Sequence, residues 1–308
     1  MKKVNNKIVA KRNKCRLCKL DSFSTVYEGP IRDGGVGANT TTGFMIKKCN
    51  SCNLVQIDPV PKQLDAFYES HEYRANWDAN YDPSDIHTKY DHEQNERLSR
   101  IGVQNSRNAT ILDLGCSAGV FLDVVQSLAE KTIAVEPFEY YSRYLKERGH
   151  TYYPYPKDAI NQGELADIVT SFDVIEHIEY PKDFINSAFK LLKPGGGLVL
   201  SMPNLNDILL SSCSESFASF FYQTAHLNYF SYESIQELFN EKGFIDIKID
   251  YLHKYNCDNL MRWLKYDSPG EMPEAKALFD RTFDSHFKAE IERLGLSSHL
   301  FITAKKPK

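Results

Sequence analysis

An apolar run, a glycine-punctuated turn, a second apolar run of helical spacing and a short strand ending on an acid follow one another between residues 110 and 137. No other feature constrains the fold as strongly. The residues are Thr110-Ile-Leu-Asp113-Leu-Gly115-Cys116-Ser117-Ala-Gly119-Val-Phe-Leu-Asp-Val-Val125, then Thr132-Ile-Ala-Val-Glu136-Pro137. This order is the front half of a nucleotide-binding β-α-β unit. Gly115 and Gly119 lack a Cβ, so the backbone can turn tightly and let a ligand approach the start of the helix. Glu136, at the carboxyl end of the second strand, is placed to accept both hydroxyls of a ribose. A phosphate-binding loop would read G-x-G-x-x-G. Here an acid precedes a turn with two glycines and would repel a pyrophosphate, so the expected ligand is a nucleoside without phosphates.

The cysteines make a second, independent pattern. Cys15-Arg-Leu-Cys18 and Cys49-Asn-Ser-Cys52 are C-x-x-C knuckles, each able to place two thiolates on one tetrahedral ion. Four sulfurs close the shell, so the expected ion is a structural Zn2+ rather than a catalytic one. A rubredoxin-like iron site and unrelated surface cysteines are the competing readings. Disulfides are disfavoured because the chain is expected in a reducing compartment. Cys116 reads as a small filler in the ligand loop, and Cys213 and Cys257 as core or surface residues.

The 308 residues carry a formal net charge of −4, which gives no global pull toward nucleic acid or anionic membrane. The basic first fourteen residues read as a solvated, frayed terminus, with a basic arm as the alternative. No apolar run approaches the ~20 residues of a membrane span and no signal peptide precedes the cysteines, so a cytoplasmic location is expected.

Several motifs in order resemble the class I S-adenosylmethionine-dependent methyltransferases. The acid and glycine turn at Asp113–Gly119 resemble the family's first motif, with Ser117 where glycine is usual. Ala166-Asp-Ile-Val-Thr-Ser-Phe-Asp173-Val174-Ile-Glu176-His177-Ile resembles its fourth strand and following loop. Leu191-Leu-Lys-Pro194-Gly-Gly-Gly197-Leu-Val-Leu-Ser-Met-Pro203 resembles the turn into its fifth strand. His226-Leu-Asn-Tyr229-Phe230-Ser231 precedes a helix, and Gly243-Phe-Ile-Asp-Ile-Lys-Ile enters strand six. The resemblance implies an α/β fold, a Rossmann-like, seven-stranded, mostly parallel sheet with helices on both faces. Strands are expected at 110–114, 132–136, 167–172, 197–202, 244–250 and 298–304, separated by helices. It further implies S-adenosylmethionine as cofactor, held by Asp113, Gly115, Cys116, Ser117, Gly119, Glu136, Pro137, Asp173 and Val174.

The organisation expected from these patterns is a zinc-binding module over 1–62, a helical linker over 63–108 and a cofactor-binding domain over 109–308. An insertion at 253–296 contains an amphipathic helix from Pro273 to Leu294 that closes on Gly295. It would roof the substrate pocket, form a homodimer face, or simply pack on the domain. The N-terminal part resembles the zinc module of methyltransferases acting in bacterial sugar and surface-glycan pathways, which precedes the nucleoside-binding domain and helps cover the substrate.

Methyl transfer from a sulfonium is mainly a problem of alignment, worth up to ~7–11 kcal/mol. A hydroxyl acceptor must also lose its proton, and a positioned histidine is the usual device. His226 is the candidate base, with Phe220, Phe221, Tyr222, Tyr229 and Phe230 around it; the competing reading is a histidine that caps the following helix. The resemblance places Glu176 and His177 beside the methionine part of the cofactor, either touching the acceptor or bracing the loop. Tyr229 completes the catalytic candidates. Tyr73, Trp77 and Tyr81 either close over the cofactor or bury the linker.

The expected function is methylation of a small-molecule acceptor, preferentially a hydroxyl of a sugar, nucleotide-sugar or surface-glycan precursor, with carbon methylation through an enolate as the alternative. A nucleic-acid methyltransferase is disfavoured by the acidic balance, and Ser171-Phe-Asp-Val-Ile-Glu-His177 stands where amino-directed base methylation needs Asn/Asp-Pro-Pro-aromatic. A non-catalytic nucleoside-binding assembly protein is the third class.

Overall fold

A computed structural model describes residues 8–9, 14–41, 43–61, 69–77, 80–212, 215–268 and 278–308. The basic terminus other than Ile8, Val9 and Lys14, the side chains of Tyr73 and Trp77, Cys213, and the Pro273 start of the expected amphipathic helix lie outside the described residues.

The strands are β1 Ile8–Val9, β2 Phe23–Gly29, β3 Phe44–Cys49, β4 Val55–Asp58, β5 Val60–Pro61, β6 Thr110–Leu114, β7 Lys131–Val135, β8 Thr151–Tyr153, β9 Ala166–Phe172, β10 Leu192–Pro203, β11 Asn228–Tyr229, β12 Ile245–Leu252 and β13 His299–Lys305. Seven form one sheet in the order β12-β13-β10-β9-β6-β7-β8. The pairings among β10, β9, β6, β7 and β8 are parallel, and β13 runs antiparallel between β10 and β12. The six expected strands are therefore present within a few residues of their expected ends. β8 is the seventh; its three residues sit in an aromatic Tyr-Tyr-Pro-Tyr-Pro stretch too short to show a period.

The central strand β6 is buried at every position, because helices cover both faces of the sheet. Period-two alternation sends Leu112 and Leu114 of β6 with Leu198 and Leu200 of β10 into one core, and Ile111 with Val199 into the other. The helix Pro83–Ile101 starts on Asp82, whose carboxylate accepts from Ser84 N, and stops at Gly102 with φ 91°. The expected helical linker thus contains this helix together with His71–Trp77 and Val103–Ser106. Before β13 come the helices Cys257–Tyr266 and Arg281–Arg293, the second capped by Asp280.

A second, antiparallel sheet has the order β11-β4-β3-β2. Its edge strand β11 comes from the far end of the chain, pairing Asn228 with Gln56 and Tyr229 with Val55. Leu227 and Tyr229 are buried in the same core as Ile31, Ile46, Val55 and Ile57. The cysteine-bearing module is therefore welded to the segment that carries His226. Among the described residues no helix is long and apolar enough to cross a membrane.

Candidate active site

The carboxyl ends of β6, β7, β9 and β10 open into a cavity of about 1110 Å³, the position expected for ligands in an open α/β sheet. Residues 115, 117 and 119 all take left-handed backbone, with φ of 77°, 52° and 80°. Ser117 adopts the conformation that makes glycine usual there, at a cost a small polar residue tolerates. A Cβ on Gly115 would lie 2.6 Å from Val174 Cγ2, and one on Gly119 2.7 Å from Leu145 Cδ2. Gly115 thus lets the turn approach the β9 loop, whereas Gly119 seats the helix Ser142–Glu147 and lies behind the cavity wall.

Glu136 is buried, and its carboxylate accepts three hydrogen bonds within the protein. Oε2 accepts from Ser117 N at 2.9 Å, and Oε1 accepts from Phe138 N at 3.0 Å and Arg74 Nη2 at 3.1 Å. It fastens the glycine turn to the end of β7 and draws Arg74, from the linker helix, over the same pocket. Tyr81 lies in an aromatic cluster with His71, Phe138 and Tyr140 beside that helix. Cys116, Ser117, Pro137, Asp173 and Val174 line the cavity as expected.

Asp113 lines it too, with Oδ1 accepting from the Thr170 hydroxyl at 2.7 Å. Burial raises its carboxyl to about 6, against the pull of that hydroxyl bond. A carboxyl whose pKa is raised on folding favours the folded state at pH below its unfolded value near 4. That advantage disappears as pH climbs through about 6. Asp113→Asn is therefore expected to be more stable than the parent at pH 7.5, by about 3 kcal/mol, and indistinguishable from it at pH 3.5. Thermal unfolding followed at the two pH values checks this; a constant difference between the proteins would contradict it.

Another part of the cavity wall is built from two loops that meet. Asp173, with φ 57°, accepts from Ser201 Oγ at 3.1 Å, Lys254 Nζ at 3.2 Å and Arg97 Nη2 at 3.4 Å. Burial works to raise its carboxyl, yet Lys254, His299 and Arg97 together hold it well below the carboxylate range. Glu176 is 1% exposed, and neither carboxyl oxygen has a hydrogen-bond partner among the described residues. Burial, reinforced by the Asp173 charge, pushes this carboxyl well above its ordinary value.

His226 Nε2 lies 4.0 Å from Glu176 Oε1. His177 meets the His226 ring edge-on, with centroids 4.7 Å apart, and its Nδ1 faces Ala225 O at 2.9 Å. A carbonyl can only accept, so Nδ1 carries the proton and Nε2 the lone pair. Burial lowers His177 to about 4 and His226 well below its ordinary value, the latter also through its neighbours His177 and Arg32. Both imidazoles are neutral at physiological pH and able to take a proton. The Gln223 amide nitrogen lies 2.8 Å from His226 Nδ1 and 2.6 Å from Nε2, while its Oε1 accepts from Arg32 Nη2 at 2.7 Å. Arg32 thereby orients the amide as a donor toward the imidazole.

The structure brings Glu176, His177 and His226 together at the cavity wall and sets Tyr229 behind them. The Tyr229 hydroxyl accepts from Gln223 N at 2.8 Å, and burial pushes its ionisation far above the usual phenol value. Its observed contact supports the 223–226 turn. Around the open side stand Phe217, Phe220, Phe221 and Trp263, with the Arg32 guanidinium 4.4 Å over the Phe220 ring. Arg32, Arg74 and Trp263 had no sequence signal as site residues, since each arrives from an element distant in the chain, and Gln223, three residues before His226, carried no motif to mark it.

The sulfurs of Cys15, Cys18, Cys49 and Cys52 all lie within 4.8 Å of one another, with 3.5 Å between Cys15 and Cys52 and between Cys18 and Cys49. A tetrahedral ion with metal–sulfur bonds of about 2.3 Å sets sulfurs about 3.8 Å apart, so this donor set fits one ion with little adjustment.

A family model described as "Methyltransferase domain" matches residues 86–249. A Mycolicibacterium smegmatis protein named a probable S-adenosylmethionine-dependent methyltransferase is 30% identical over 103 residues, which are 30% of this chain and 38% of that one. The mitochondrial ubiquinone biosynthesis O-methyltransferase of Candida albicans is 31% identical over 138 residues, 40% of each chain. The chain thus spans well under half the length of these relatives. Among solved structures, a chain from the complex of the Haloferax volcanii Trm112 methyltransferase activator with a methyltransferase gives a TM-score of 0.50 at 14% identity, covering 81% of this chain and 100% of that one. That likeness is one of fold. Because the matched span runs from the linker helix through β12 and contains the glycine turn, Glu136 and the Asp173–His177 loop, the chain belongs to the S-adenosylmethionine-dependent methyltransferase domain family.

Proposed function

We propose that this protein methylates a hydroxyl of a small-molecule acceptor, with His226 receiving the proton. S-adenosylmethionine, when bound, supplies an electrophilic methyl on a sulfonium. The Asp113–Gly119 turn and Glu136 are suited to hold its adenosyl half, and the Asp173–Val174 loop its methionine half. The acceptor oxygen gains the methyl and gives its proton to the neutral His226 ring. The imidazolium so formed lies 4.0 Å from Glu176 Oε1, and the charge it gains favours ionisation of that carboxyl, which burial otherwise opposes. His177 and Gln223 orient the ring from either side.

The observation that carries this reading is a neutral imidazole, half-buried in the cavity wall and met by a carboxyl without a partner among the described residues, facing the same cavity as the glycine turn. The names of the ubiquinone O-methyltransferase relatives favour oxygen as the acceptor atom. The aromatic wall of Phe217, Phe220, Phe221 and Trp263 suits the C–H face of a sugar ring, and a sugar, nucleotide-sugar or glycan precursor is the acceptor we favour. The four-cysteine cluster holds a structural zinc in this reading.

Calorimetry with S-adenosylmethionine is expected to show one site, weakened about 10–100-fold in Glu136→Ala through loss of charged hydrogen bonds. Unchanged affinity in that variant would remove Glu136 from the cofactor site. A mass-resolved screen of nucleotide-sugars, sugar phosphates and phenols for the gain of one methyl group identifies the acceptor. Transfer to none of them, with the cofactor bound, would favour a non-catalytic nucleoside-binding role.

A further inference from the structure

The first cysteine knuckle contains an arginine that reaches out of its own module. Arg16, between Cys15 and Cys18, is 2% exposed. Its Nη1 donates to Leu227 O at 2.7 Å and its Nη2 to Ile57 O at 2.9 Å, while its backbone N donates to Gln56 Oε1 at 3.0 Å. Leu227 O also accepts from Ile57 N at 3.2 Å, and Leu227 N donates to Glu176 O at 2.8 Å. Asn228, opposite Gln56 in the sheet, donates from Nδ2 to Ile178 O at 2.7 Å. The residues that follow His226 are thus clamped between the cysteine knuckle on one side and the Glu176–Ile178 turn on the other.

Three physical points select Arg16 as the link. A guanidinium presents donors in a rigid planar fork, so one side chain can satisfy carbonyls on two separate segments of the chain. A buried cation is costly without such partners. A divalent ion held by four thiolates retains net negative charge beside that cation, so filling the cluster favours Arg16 where it stands. Filling it also fixes Cys15 and Cys18 relative to each other, and with them the backbone from which Arg16 extends.

We propose that the cysteine module is the positioning element for His226, with Arg16 as the positioning residue that carries the register of the metal-bound knuckle to the acceptor loop. This rests on the reading of His226 as proton acceptor, but its test does not need turnover. The full chain reconstituted with zinc is compared with Arg16→Met and Arg16→Lys by zinc content, affinity for S-adenosylmethionine, amide hydrogen exchange and the imidazole 15N signals of labelled histidines.

The methionine variant is expected to keep its zinc and to bind the cofactor within about twofold of the parent, while amides at 224–230 exchange about 10-fold faster or more and the His226 signal shifts. Lysine, which reaches one carbonyl, is expected to fall between the two. Faster exchange confined to 14–61, with 224–230 protected and the His226 signal unmoved, would overturn the proposal. Should the methionine variant fail to fold, the lysine variant decides: intermediate exchange at 224–230 supports the proposal and parental exchange overturns it. Full turnover in His226→Ala would remove the proton acceptor yet leave these exchange results standing, so the two readings fail separately.

Discussion

His226→Ala is expected to lose about 10²–10⁴-fold in methyl transfer while binding S-adenosylmethionine as the parent does. The imidazole is a neutral group at the cavity wall, with the Glu176 carboxyl 4.0 Å from its Nε2. Its ordinary pKa is lowered well below 6.5 by burial and by His177 and Arg32, so protonation disables it only at more acidic pH than for a free histidine. The kcat profile should accordingly stay flat from pH 8 down past 6.5 and fall below that. An acid limb centred at 6.5 or above would show that the titrating group is not this half-buried ring. Single-turnover kinetics at saturating cofactor separate the chemical step from binding; a variant whose kcat is unchanged would transfer the role to His177 or to no side chain at all.

The second large effect concerns the cofactor turn. Gly115→Val is expected to abolish detectable binding of S-adenosylmethionine and to lower thermal stability, because two penalties coincide. At φ 77° any L side chain is strained, by about 1–2 kcal/mol. In addition, its Cβ would meet Val174 Cγ2 at 2.6 Å, a contact that forces the turn and the Asp173–Val174 loop apart. Gly163→Ala is the control: its φ of 74° is equally unfavourable, but nothing lies within 4 Å of the added atom. That variant should lose only the conformational part and keep the cofactor. Pairing Gly115→Ala with Val174→Ala should recover part of the lost affinity relative to Gly115→Ala alone, since the second change removes the atoms that clash. Independent, additive effects in this cycle would mean that the two positions do not press on each other.

Much of this was legible along the chain because the signals are local. The apolar–glycine–apolar–acid order at 110–136 and the two knuckles are patterns of neighbours, and the seven-stranded sheet and the sulfur cluster are where those patterns point. The Glu176, His177 and His226 candidates were legible as well, since each follows a strand at the sheet's carboxyl edge. Other features had no local mark. Tyr229 shares its motif with His226, yet strand alternation turns its ring into the module core while His226 faces the cavity. Glu136 was readable as a ligand for ribose, but its bonds to Ser117, Phe138 and Arg74 depend on where a distant helix lands.

By itself the sequence determined the class of fold, the pairing of the four cysteines into one cluster and the glycine turn at the end of β6, since each is set by residue types at fixed short spacings. Only the tertiary structure decided which groups converge on the cavity. Arg32, Arg74, Gln223 and Trp263 are brought to one cavity by strand pairing and helix packing, and Arg16 bonds Leu227 across a separation of 211 residues. The addition of β11 to the cysteine module's sheet, which no stretch of sequence foretells, joins the two halves of the molecule around His226. Burial then sets the charge of the site: the same histidines and carboxyls in water would titrate ordinarily, and it is the loss of hydration on packing that makes the imidazoles neutral and leaves Glu176 without a partner among the described residues.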